Sequence, residues 1–286
     1  MRLRFTKMHG AGNDFVVIDA TRQAVVLTPS QVRHLGDRHR GVGADQILLV
    51  EPPAAAGVDF SYRIFNNNGD EVEHCGNGAR CFLQFVREQG LSSQDRVRVQ
   101  TVNRVLELWF DAHGQVSVDM GTPQFDPHEV PFDAQGLTPR IEATLSWWPL
   151  DLPDGQYTEV AVVSMGNPHA VLRVSNVDTA PVTTWGPWIE HHRRFARRVN
   201  VGFLQVESPR QARLRVFERG AGETLACGTG ACAAAAVGRR AAWLDSPVDI
   251  HTLGGRLSID WPQVGESSTM RMSGPAQTVF QGEIEL

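Results

Sequence analysis

The chain is poor in lysine and cysteine and lacks any long uninterrupted apolar run. Lys7 is its only lysine, so a Schiff base to pyridoxal phosphate or to a substrate carbonyl would have to form there, and we expect no such cofactor. No segment approaches the ~18 consecutive apolar residues of a membrane-spanning helix. The first residues contain no apolar core followed by a cleavage site. We therefore expect a cytoplasmic protein with no membrane partner.

The sequence also lacks an excess of positive charge. It has 27 lysines and arginines against 32 aspartates and glutamates, a formal net charge of −5. Such a chain has no broad positive field for binding nucleic acid, and a small or zwitterionic molecule is the expected partner. Its 286 residues, 42% of them hydrophobic, suffice for one large or two medium domains.

The number and spacing of the cysteines argue against a disulfide scaffold and against a zinc site. The four are Cys75, Cys81, Cys227 and Cys232. They are too few for a disulfide scaffold, and they lack the two-residue spacing of a zinc knuckle, so we expect no metal site. Cys81 and Cys232 lie inside predicted helices, where a cysteine is usually a small buried apolar residue. Cys75 and Cys227 each precede a glycine pair, and for them the stronger interpretation is thiol chemistry.

An internal duplication relates these last two cysteines. When residues 63–66 (RIFN) are aligned with 215–218 (RVFE), the same offset places Cys75 on Cys227 and aligns the glycines that follow. Packing alone does not require two cysteines at matching places in a repeated frame. The sequence therefore predicts two similar halves.

Each half is predicted to contain short strands and one central helix, an α+β protein. The helices are expected at 76–89 and 228–243, so both cysteines lie at helix N-termini, and a further helix capped by Thr28 is expected to reach about Arg38. The proline-rich stretch 122–139 is the best crossing point, and a last strand at about 277–284 is expected to return to the first half. We expect domains of 1–119 with 275–286 and of 120–274. Strands are predicted at 15–19, 47–50, 60–65, 97–101, 105–110, 115–120, 159–164, 170–174, 199–206, 213–217 and 256–260. The basic run 191–198 is interpreted as a solvated helix face.

Two cysteines at helix N-termini suggest a specific reaction. A helix N-terminus lowers a thiol pKa, so such a thiol can act as a base near neutral pH, and the glycine-rich N–H groups can bind a carboxylate. If pseudo-twofold symmetry points the two helix ends at each other, a Cα between them has one sulfur on each face. One thiolate can remove a proton while the other thiol returns one to the opposite face. This describes a racemase or epimerase that needs no cofactor.

Five segments closely resemble the diaminopimelate epimerase family: 7–15 (KMHGAGNDF), 73–81 (EHCGNGARC), 164–169 (SMGNPH), 218–224 (ERGAGET) and 227–230 (CGTG). The resemblance spans nearly the whole chain. It implies a pyridoxal-independent isomerase that interconverts LL- and meso-2,6-diaminopimelate, on the route to lysine and peptidoglycan precursors. It also implies two pseudo-symmetric domains, each a curved, mostly antiparallel sheet wrapped around a central helix.

The resemblance assigns roles residue by residue. Cys75 and Cys227 match the catalytic pair, with Cys227 written as proton acceptor and Cys75 as donor, roles that reverse with direction. Arg219 can fork onto the distal carboxylate of the substrate and Glu218 can accept from its distal ammonium. The positions that match substrate contacts are Asn13, Gln46, Asn66, Gly76, Asn77, Asn167, Asn200, Glu218, Arg219, Gly228 and Thr229.

Two further roles follow from the resemblance, and two features depart from it. His169 and Glu218 match positions that tune the thiols. Phe280 stands where an interface tyrosine is common, and it is the expected contact of a homodimer. Residues 138–156 match no motif of the family.

Three alternatives stay open at this point. A proline or hydroxyproline racemase has the same architecture but no use for Glu218 and Arg219 in recognising a second amino-acid end. A thiol-disulfide redox protein would cycle its cysteine pair during turnover. A non-catalytic amino-acid-binding module would exchange no Cα hydrogen with solvent.

Overall fold

The structure, a computed structural model, describes residues 1–72, 76–102, 104–265 and 268–286. The chain forms two compact units: unit 1 comprises Met1–Asp119 and Ser273–Leu286, and unit 2 comprises Met120–Met272. Within the described ranges, no helix is both long and apolar enough to cross a membrane.

The elements are named here in chain order. They are β1 (Arg2–Gly10), β2 (Asn13–Asp19), α1 (Pro29–Gly36), β3 (Gln46–Glu51), β4 (Phe60–Asn66), β5 (Glu71–Val72), α2 (Gly76–Glu88), β6 (Arg96–Gln100), β7 (Val105–Phe110), β8 (Val116–Gly121), β9 (Arg140–Glu142), β10 (Leu145–Asp151), a 3₁₀ turn (Pro153–Gly155), β11 (Tyr157–Ser164), β12 (Pro168–Arg173), α3 (Val182–Glu190), β13 (Asn200–Ser208), β14 (Gln211–Glu218), β15 (Gly222–Thr224), α4 (Gly228–Arg240), β16 (Val248–Thr252), β17 (Gly255–Asp260), β18 (Met270–Gly274) and β19 (Gln277–Glu285).

Unit 1 is a mostly antiparallel sheet around α2. β1 pairs antiparallel with β2 and β19, β2 runs parallel to β3, and β3 pairs antiparallel with β4. β4 pairs antiparallel with β5 and parallel with β6, which leads through β7 to β8. α2 contacts β1, β2, β3, β7 and β19, and it is buried from Gly76 through Leu83.

Unit 2 repeats this order around α4. β11 pairs antiparallel with β12, β12 runs parallel to β13, and β13 pairs antiparallel with β14. β14 pairs antiparallel with β15 and parallel with β16, which pairs with β17. α4 contacts six of these strands, β11, β12, β13, β14, β16 and β17. The predicted fold class is confirmed: two similar halves, each a mostly antiparallel sheet around one helix.

A second helix packs near the sheet in each unit. α1 contacts β3 and β4, and its Val32 and Leu35 share a core cluster with alternate residues of β2 and β3. α3 contacts β13, β14 and β15, and its Val182 and Ile189 join a core cluster of unit 2. Side chains of a strand alternate between its two faces, so each sheet is buried on both sides near its centre.

Among the differences from the prediction are two helix ends and one predicted helix face. Thr28 caps α1 with the expected capping box, but the helix ends at Gly36. α4 ends at Arg240 rather than at 243, because the left-handed backbone of Ala242, at a φ of 59°, redirects the chain. The run 191–198 is not the predicted helix face: α3 ends at Glu190, and the run forms turns in which His192 is buried.

Candidate active site

Cys227 occupies the N-cap of α4. Its Sγ accepts the backbone N–H of Gly230 at 3.3 Å, and the residue is 4% exposed. A Cβ at residue 230 would lie only 3.3 Å from this sulfur and 3.1 Å from Val216 Cγ2. Glycine at position 230 therefore lets the first turn of α4 close onto the thiol, as the CGTG pattern suggests.

The pKa of Cys227 runs against the sequence-based expectation. Burial raises the pKa of this thiol well above its ordinary value, and the negative charge of Glu218 raises it further. Hydrogen bonds from Thr229 and from the Gly230 N–H lower the pKa, but they do not offset burial. The expectation that the helix N-terminus alone makes Cys227 acidic is wrong, since removing a charge from water outweighs the effect of the helix dipole.

Glu218 ends β14, one residue before the turn that leads to β15. Its Oε1 accepts the hydroxyl proton of Thr224 at 2.6 Å, which fixes the carboxylate from the far side of this hairpin. The negative charge of Glu218 raises the pKa of the Cys227 thiol, so the protonation of Cys227 depends on Glu218. The structure thus brings a predicted tuning residue to the predicted catalytic sulfur.

Thr229 connects Cys227 to Asn167. The Thr229 hydroxyl lies 3.5 Å from the sulfur and accepts the side-chain amide of Asn167 at 3.2 Å. Since the Thr229 oxygen accepts from Asn167, its own proton is available to the sulfur. This chain of contacts supplies a donor that favours the thiolate form of Cys227.

His169 closes this network as a neutral imidazole. Its Nε2 lies 3.0 Å from Asn167 Oδ1, and with the Asn167 amide donating to Thr229, the imidazole N–H is the donor. The side chain is 1% exposed. Burial, followed by the nearby positive charge of Arg219, lowers the pKa of His169 to about 3. His169 therefore holds Asn167 without carrying charge.

Asn200 holds the backbone on which Arg219 sits. Its Oδ1 accepts the Arg219 N–H at 3.0 Å, while its Nδ2 donates to the carbonyl of Pro168 at 2.9 Å. The Arg219 guanidinium donates to the Arg197 carbonyl at 3.1 Å. The predicted site residues of unit 2 thus fall into two sets of contacts. One joins Cys227, Thr229, Asn167 and His169, and the other joins Asn200 to the Arg219 backbone and to Pro168, the residue between Asn167 and His169.

The predicted site residues of unit 1 also contact one another. Gln46 and Asn66 are register partners on β3 and β4, and the Gln46 amide donates to Asn66 Oδ1 at 2.9 Å. In the described part of the chain, nothing donates to the buried Oε1 of Gln46. Asn77, in the first turn of α2, donates to Asn13 Oδ1 at 3.3 Å. Gly76 begins this helix.

Cys75 immediately precedes α2 and lies outside the described residues. The helix that follows it begins Gly76-Asn77-Gly78, as α4 begins Gly228-Thr229-Gly230. The two helix starts therefore share their sequence pattern and their place in the repeated topology.

Several residues that sequence reasoning missed support these contacts. Asp45 accepts the Asn13 amide at 3.0 Å, and the fully buried Arg80 donates to Asn77 Oδ1 at 2.8 Å. Arg80 and Thr224 both lie within the motifs quoted above, and a charged residue near the buried face of a helix is a usable signal. Asp45 follows no motif and gives no such signal.

Phe280 lies on β19 in unit 1. Its ring packs edge-to-face on Phe5, with centroids 5.9 Å apart, yet the residue is 47% exposed and its neighbour Val279 is 57% exposed. β19 thus carries two exposed apolar residues in unit 1.

Comparison with known proteins identifies related sequences. The family model for diaminopimelate epimerase matches residues 5–126 and 161–279. A diaminopimelate epimerase from Paraburkholderia xenovorans is 60% identical over 286 residues, covering 100% of this chain and 99% of the relative. The unmatched stretch, 127–160, includes β9, β10 and the 3₁₀ turn.

Solved structures share the fold at much lower identity. A phenazine biosynthesis protein of the PhzF family from Bacillus anthracis matches with a TM-score of 0.68 at 16% identity, covering 100% of both chains. A probable proline racemase from Agrobacterium radiobacter also gives a TM-score of 0.68, at 14% identity, covering 99% of this chain and 93% of the racemase. At these identities the likeness extends to the fold alone.

Proposed function

The chain belongs to the diaminopimelate epimerase family, and we propose that it inverts one α-carbon of 2,6-diaminopimelate with two thiols, Cys227 and Cys75, and no pyridoxal phosphate. The reaction interconverts the LL and meso forms. Identity of 60% along the full chain supports this substrate over proline, because the proline racemase match is a likeness of fold.

The setting of Cys227 is the observation that carries the proposal. A buried sulfur at a helix N-cap receives a backbone N–H and contacts a hydroxyl, with a carboxylate close enough to change its pKa. A cysteine with a purely packing role needs none of these polar partners. The arrangement instead controls whether the sulfur holds a proton, which is what an acid–base residue requires.

The proton transfer uses the two sulfurs in turn. The thiolate of one cysteine takes the hydrogen from Cα, and the thiol of the other delivers its proton to the opposite face of the same carbon. After one turnover the protonation states of the two sulfurs are exchanged. The same pair therefore serves both directions of the reaction, as microscopic reversibility requires.

The raised pKa of Cys227 means that the free enzyme holds this residue as a thiol. For Cys227 to act as proton acceptor, its proton must leave as the substrate binds. Burial is the larger cause of the raised thiol pKa and the charge of Glu218 is the second, and a substrate ammonium paired with Glu218 would cancel the second. Binding of the second amino-acid end thus prepares Cys227 for the reaction.

The carbanion formed at Cα is stabilised through its carboxylate. The N–H groups at the start of α4, from Gly228 and Thr229, and those of Gly76 and Asn77 at the start of α2 are the proposed donors. Free N–H groups and the dipole at a helix N-terminus favour a negative charge without any rearrangement during the reaction.

The distal amino-acid end is recognised by Arg219, Glu218 and neutral amides. Arg219 supplies a planar fork for the distal carboxylate. Gln46 Oε1 is a buried acceptor without a donor among the described residues, and leaving such an acceptor unbonded costs free energy. A substrate N–H is the proposed donor to it. Asn13, Asn66, Asn167 and Asn200 complete the proposed contacts, either by touching substrate or by holding the groups that do.

The test is turnover of the purified protein with a reductant present. We expect LL-2,6-diaminopimelate to be converted to the meso form, as resolved by chiral chromatography, and free L-proline and trans-4-hydroxy-L-proline to be unchanged. Turnover of either proline substrate without turnover of diaminopimelate would overturn the proposal in favour of a racemase. Binding without exchange of the Cα hydrogen would indicate a binding module.

We also propose that the chain acts in the cytoplasm as a homodimer. The reaction requires reduced thiols, which a reducing compartment maintains. The exposed Val279 and Phe280 of β19 supply an apolar contact for a second copy. Light scattering should give the dimer mass for the wild type and a lower mass for Phe280→Asp; a wild-type monomer would contradict this assignment.

A further inference from the structure

We propose that Glu190, the last residue of α3, is a positioning residue for the turn 219–221 and sets how tightly the distal end of diaminopimelate binds; the inference rests on the function proposed above. The turn joins β14 to β15 and carries Arg219. Glu190 belongs to no motif that the sequence reveals. Its role follows from its contacts within unit 2.

Glu190 is a buried carboxylate. Its side chain is 4% exposed, and its Oε1 accepts the backbone N–H of Gly220 at 2.8 Å. Arg198 Nη1 lies 3.8 Å away and His191 Nδ1 lies 3.4 Å away. Burying a carboxylate is costly unless hydrogen bonds and charges compensate it. A leucine at this core position would not have that desolvation cost, so the buried carboxylate indicates a specific role in binding a polar group.

The role of Glu190 is to hold the centre of the turn. Gly220 adopts a φ of +75°, which directs its N–H toward α3. The N–H groups on either side are also bound: that of Arg219 by Asn200 Oδ1 at 3.0 Å, and that of Ala221 by the Glu218 carbonyl at 3.1 Å. The backbone of Arg219 is therefore fixed by two side chains, one from β13 and one from α3.

Unit 1 holds the equivalent turn differently. There, between β4 and β5, Asn67 donates its N–H to the Asp45 carbonyl at 3.1 Å and Gly69 donates to the Asn66 carbonyl at 2.9 Å. The Asn68 side chain accepts the Asp70 N–H at 3.0 Å, and the exposed Arg33 of α1 donates to the Asn68 carbonyl at 3.2 Å. No buried carboxylate is among these partners of the unit 1 turn. The turn of unit 2 uses a buried carboxylate instead, and it is the turn that carries the arginine.

Positioning matters for Arg219 because its fork is directional. A guanidinium that binds a carboxylate through two parallel N–H donors loses one of them when its base shifts. Replacing Glu190 with alanine leaves the Gly220 N–H without its acceptor, and the turn relieves this loss by moving. We therefore expect weaker substrate binding and little change in the proton transfer at Cys227.

The test compares variants of the full chain in steady-state epimerisation of LL-diaminopimelate. Glu190→Ala should raise KM about 10-fold and change kcat less than about 3-fold. Glu190→Gln should keep KM within about 3-fold of the wild type, because its Oε1 accepts the same N–H. Glu190→Asp, one methylene too short for this contact, should behave like Glu190→Ala. Arg219→Lys should raise KM strongly, because a point charge cannot reproduce the fork.

Glu223→Ala is the matched control. Glu223 lies on β15 of the same hairpin, pairs with Arg215 at 2.5 Å and is 20% exposed at its side chain, but this ion pair does not involve the turn. Its loss should lower stability and leave KM unchanged. The double variant Glu190→Ala/Arg219→Lys should have a KM effect smaller than the product of the single effects, because both changes act on one interaction.

Three results would overturn the inference. The first is an unchanged KM in folded Glu190→Ala; if that variant fails to fold, an unchanged KM in Glu190→Asp decides the same point. The second is Glu190→Gln as impaired as Glu190→Ala, which would assign the effect to charge. The third is multiplicative effects in the double variant. A wild type that fails to turn over diaminopimelate would instead overturn the proposed function.

Discussion

Cys227, to which the proposed chemistry is assigned, shows two opposing effects on its pKa. A helix N-terminus stabilises a negative charge by roughly 0.3–1 kcal/mol at exposed sites, and by up to ~2 kcal/mol where partly buried. Full burial can move a pKa by up to ~3–5 units in the other direction. Burial prevails here, and Glu218 acts in the same direction. Burial and the charge of Glu218 therefore both favour the protonated thiol.

Glu218→Gln tests this balance. The variant keeps an oxygen that can accept from Thr224 but loses the charge, so the pKa of Cys227 should fall. Because only the thiolate reacts, alkylation of Cys227 by iodoacetamide at pH 8 should be faster than in the wild type. Peptide mass spectrometry resolves the labelled site.

Cys232 provides the internal control for this measurement. It is fully buried within the same helix, so its labelling reports opening of α4. An unchanged Cys227 rate, or an equal increase at Cys232, would contradict the assigned effect of Glu218.

At the scale of elements, short sequence patterns predicted the features that depend on neighbouring residues alone, such as helix starts. The Thr28 capping box, the glycine-rich starts of α2 and α4, and the small residues of α4 are all readable from the chain. The small side chains allow α4 to contact strands all around it, and Ala233 through Ala236 are buried.

Elements that depend on distant partners were not predictable in this way. Trp243 stacks on Trp147, with ring centroids 5.4 Å apart, and donates to Glu142 at 2.8 Å. These contacts tie the segment after α4 to β9 and β10, which lie outside the stretches matched by the family model. The sequence does not predict α3 for a related reason. Its apolar residues pack on strands that follow it in the chain, and Pro187, a residue that disfavours helix, lies inside it.

α3 gives a prediction of its own. A Cβ added at Gly186 would lie 2.6 Å from Cγ and 2.8 Å from Cβ of Phe217 on β14. Gly186→Ala should therefore lower the free energy of unfolding by about 1–3 kcal/mol, because the helix must move away from the sheet. Urea denaturation followed by tryptophan fluorescence measures the change.

The matched control on the same helix is Thr183→Ala, at an exposed position. It should change the free energy of unfolding by less than about 0.5 kcal/mol. Equal stability of Gly186→Ala and the wild type would show that α3 does not approach β14 as closely as described.

At the scale of the whole molecule, one duplicated pattern predicted most of the architecture. The alignment of 63–66 with 215–218 places β4 on β14 and the start of α2 on that of α4. The parallel pairs β2–β3 and β12–β13 could not be read from it, because pairing direction depends on the path of the chain between strands. The supports of the site were hidden for the same reason: Asp45 and Glu190 act through backbone or amide partners far along the chain.

The neutral state of His169 predicts how stability depends on pH. Its folded pKa of about 3 lies below the ordinary value of 6.5, so the unfolded chain binds a proton that the folded chain does not as pH falls below 6.5. Stability is therefore complete above pH 6.5 and is lost progressively toward pH 3. At pH 5 the loss from this residue is about 2 kcal/mol.

His169→Gln removes this titration. The difference in unfolding free energy between pH 7.5 and pH 5 should be smaller in the variant by about 2 kcal/mol. Tryptophan fluorescence is suited to the measurement, because all tryptophans except Trp109 lie in unit 2. Replacing the exposed His128 by glutamine should reproduce the wild-type pH dependence, and identical pH dependence in His169→Gln would contradict a buried neutral imidazole.

In the proposed reaction one cysteine removes the hydrogen from Cα and the other delivers a different, solvent-derived proton to the opposite face. The most direct measurement is the hydrogen isotope at that carbon during the first turnovers of LL-diaminopimelate in D₂O, read by mass spectrometry. We expect one deuterium in each meso product, unlabelled recovered substrate, and no product from Cys227→Ala or Cys75→Ala. Early product that keeps its original hydrogen, or near-normal rates in either variant, would contradict it.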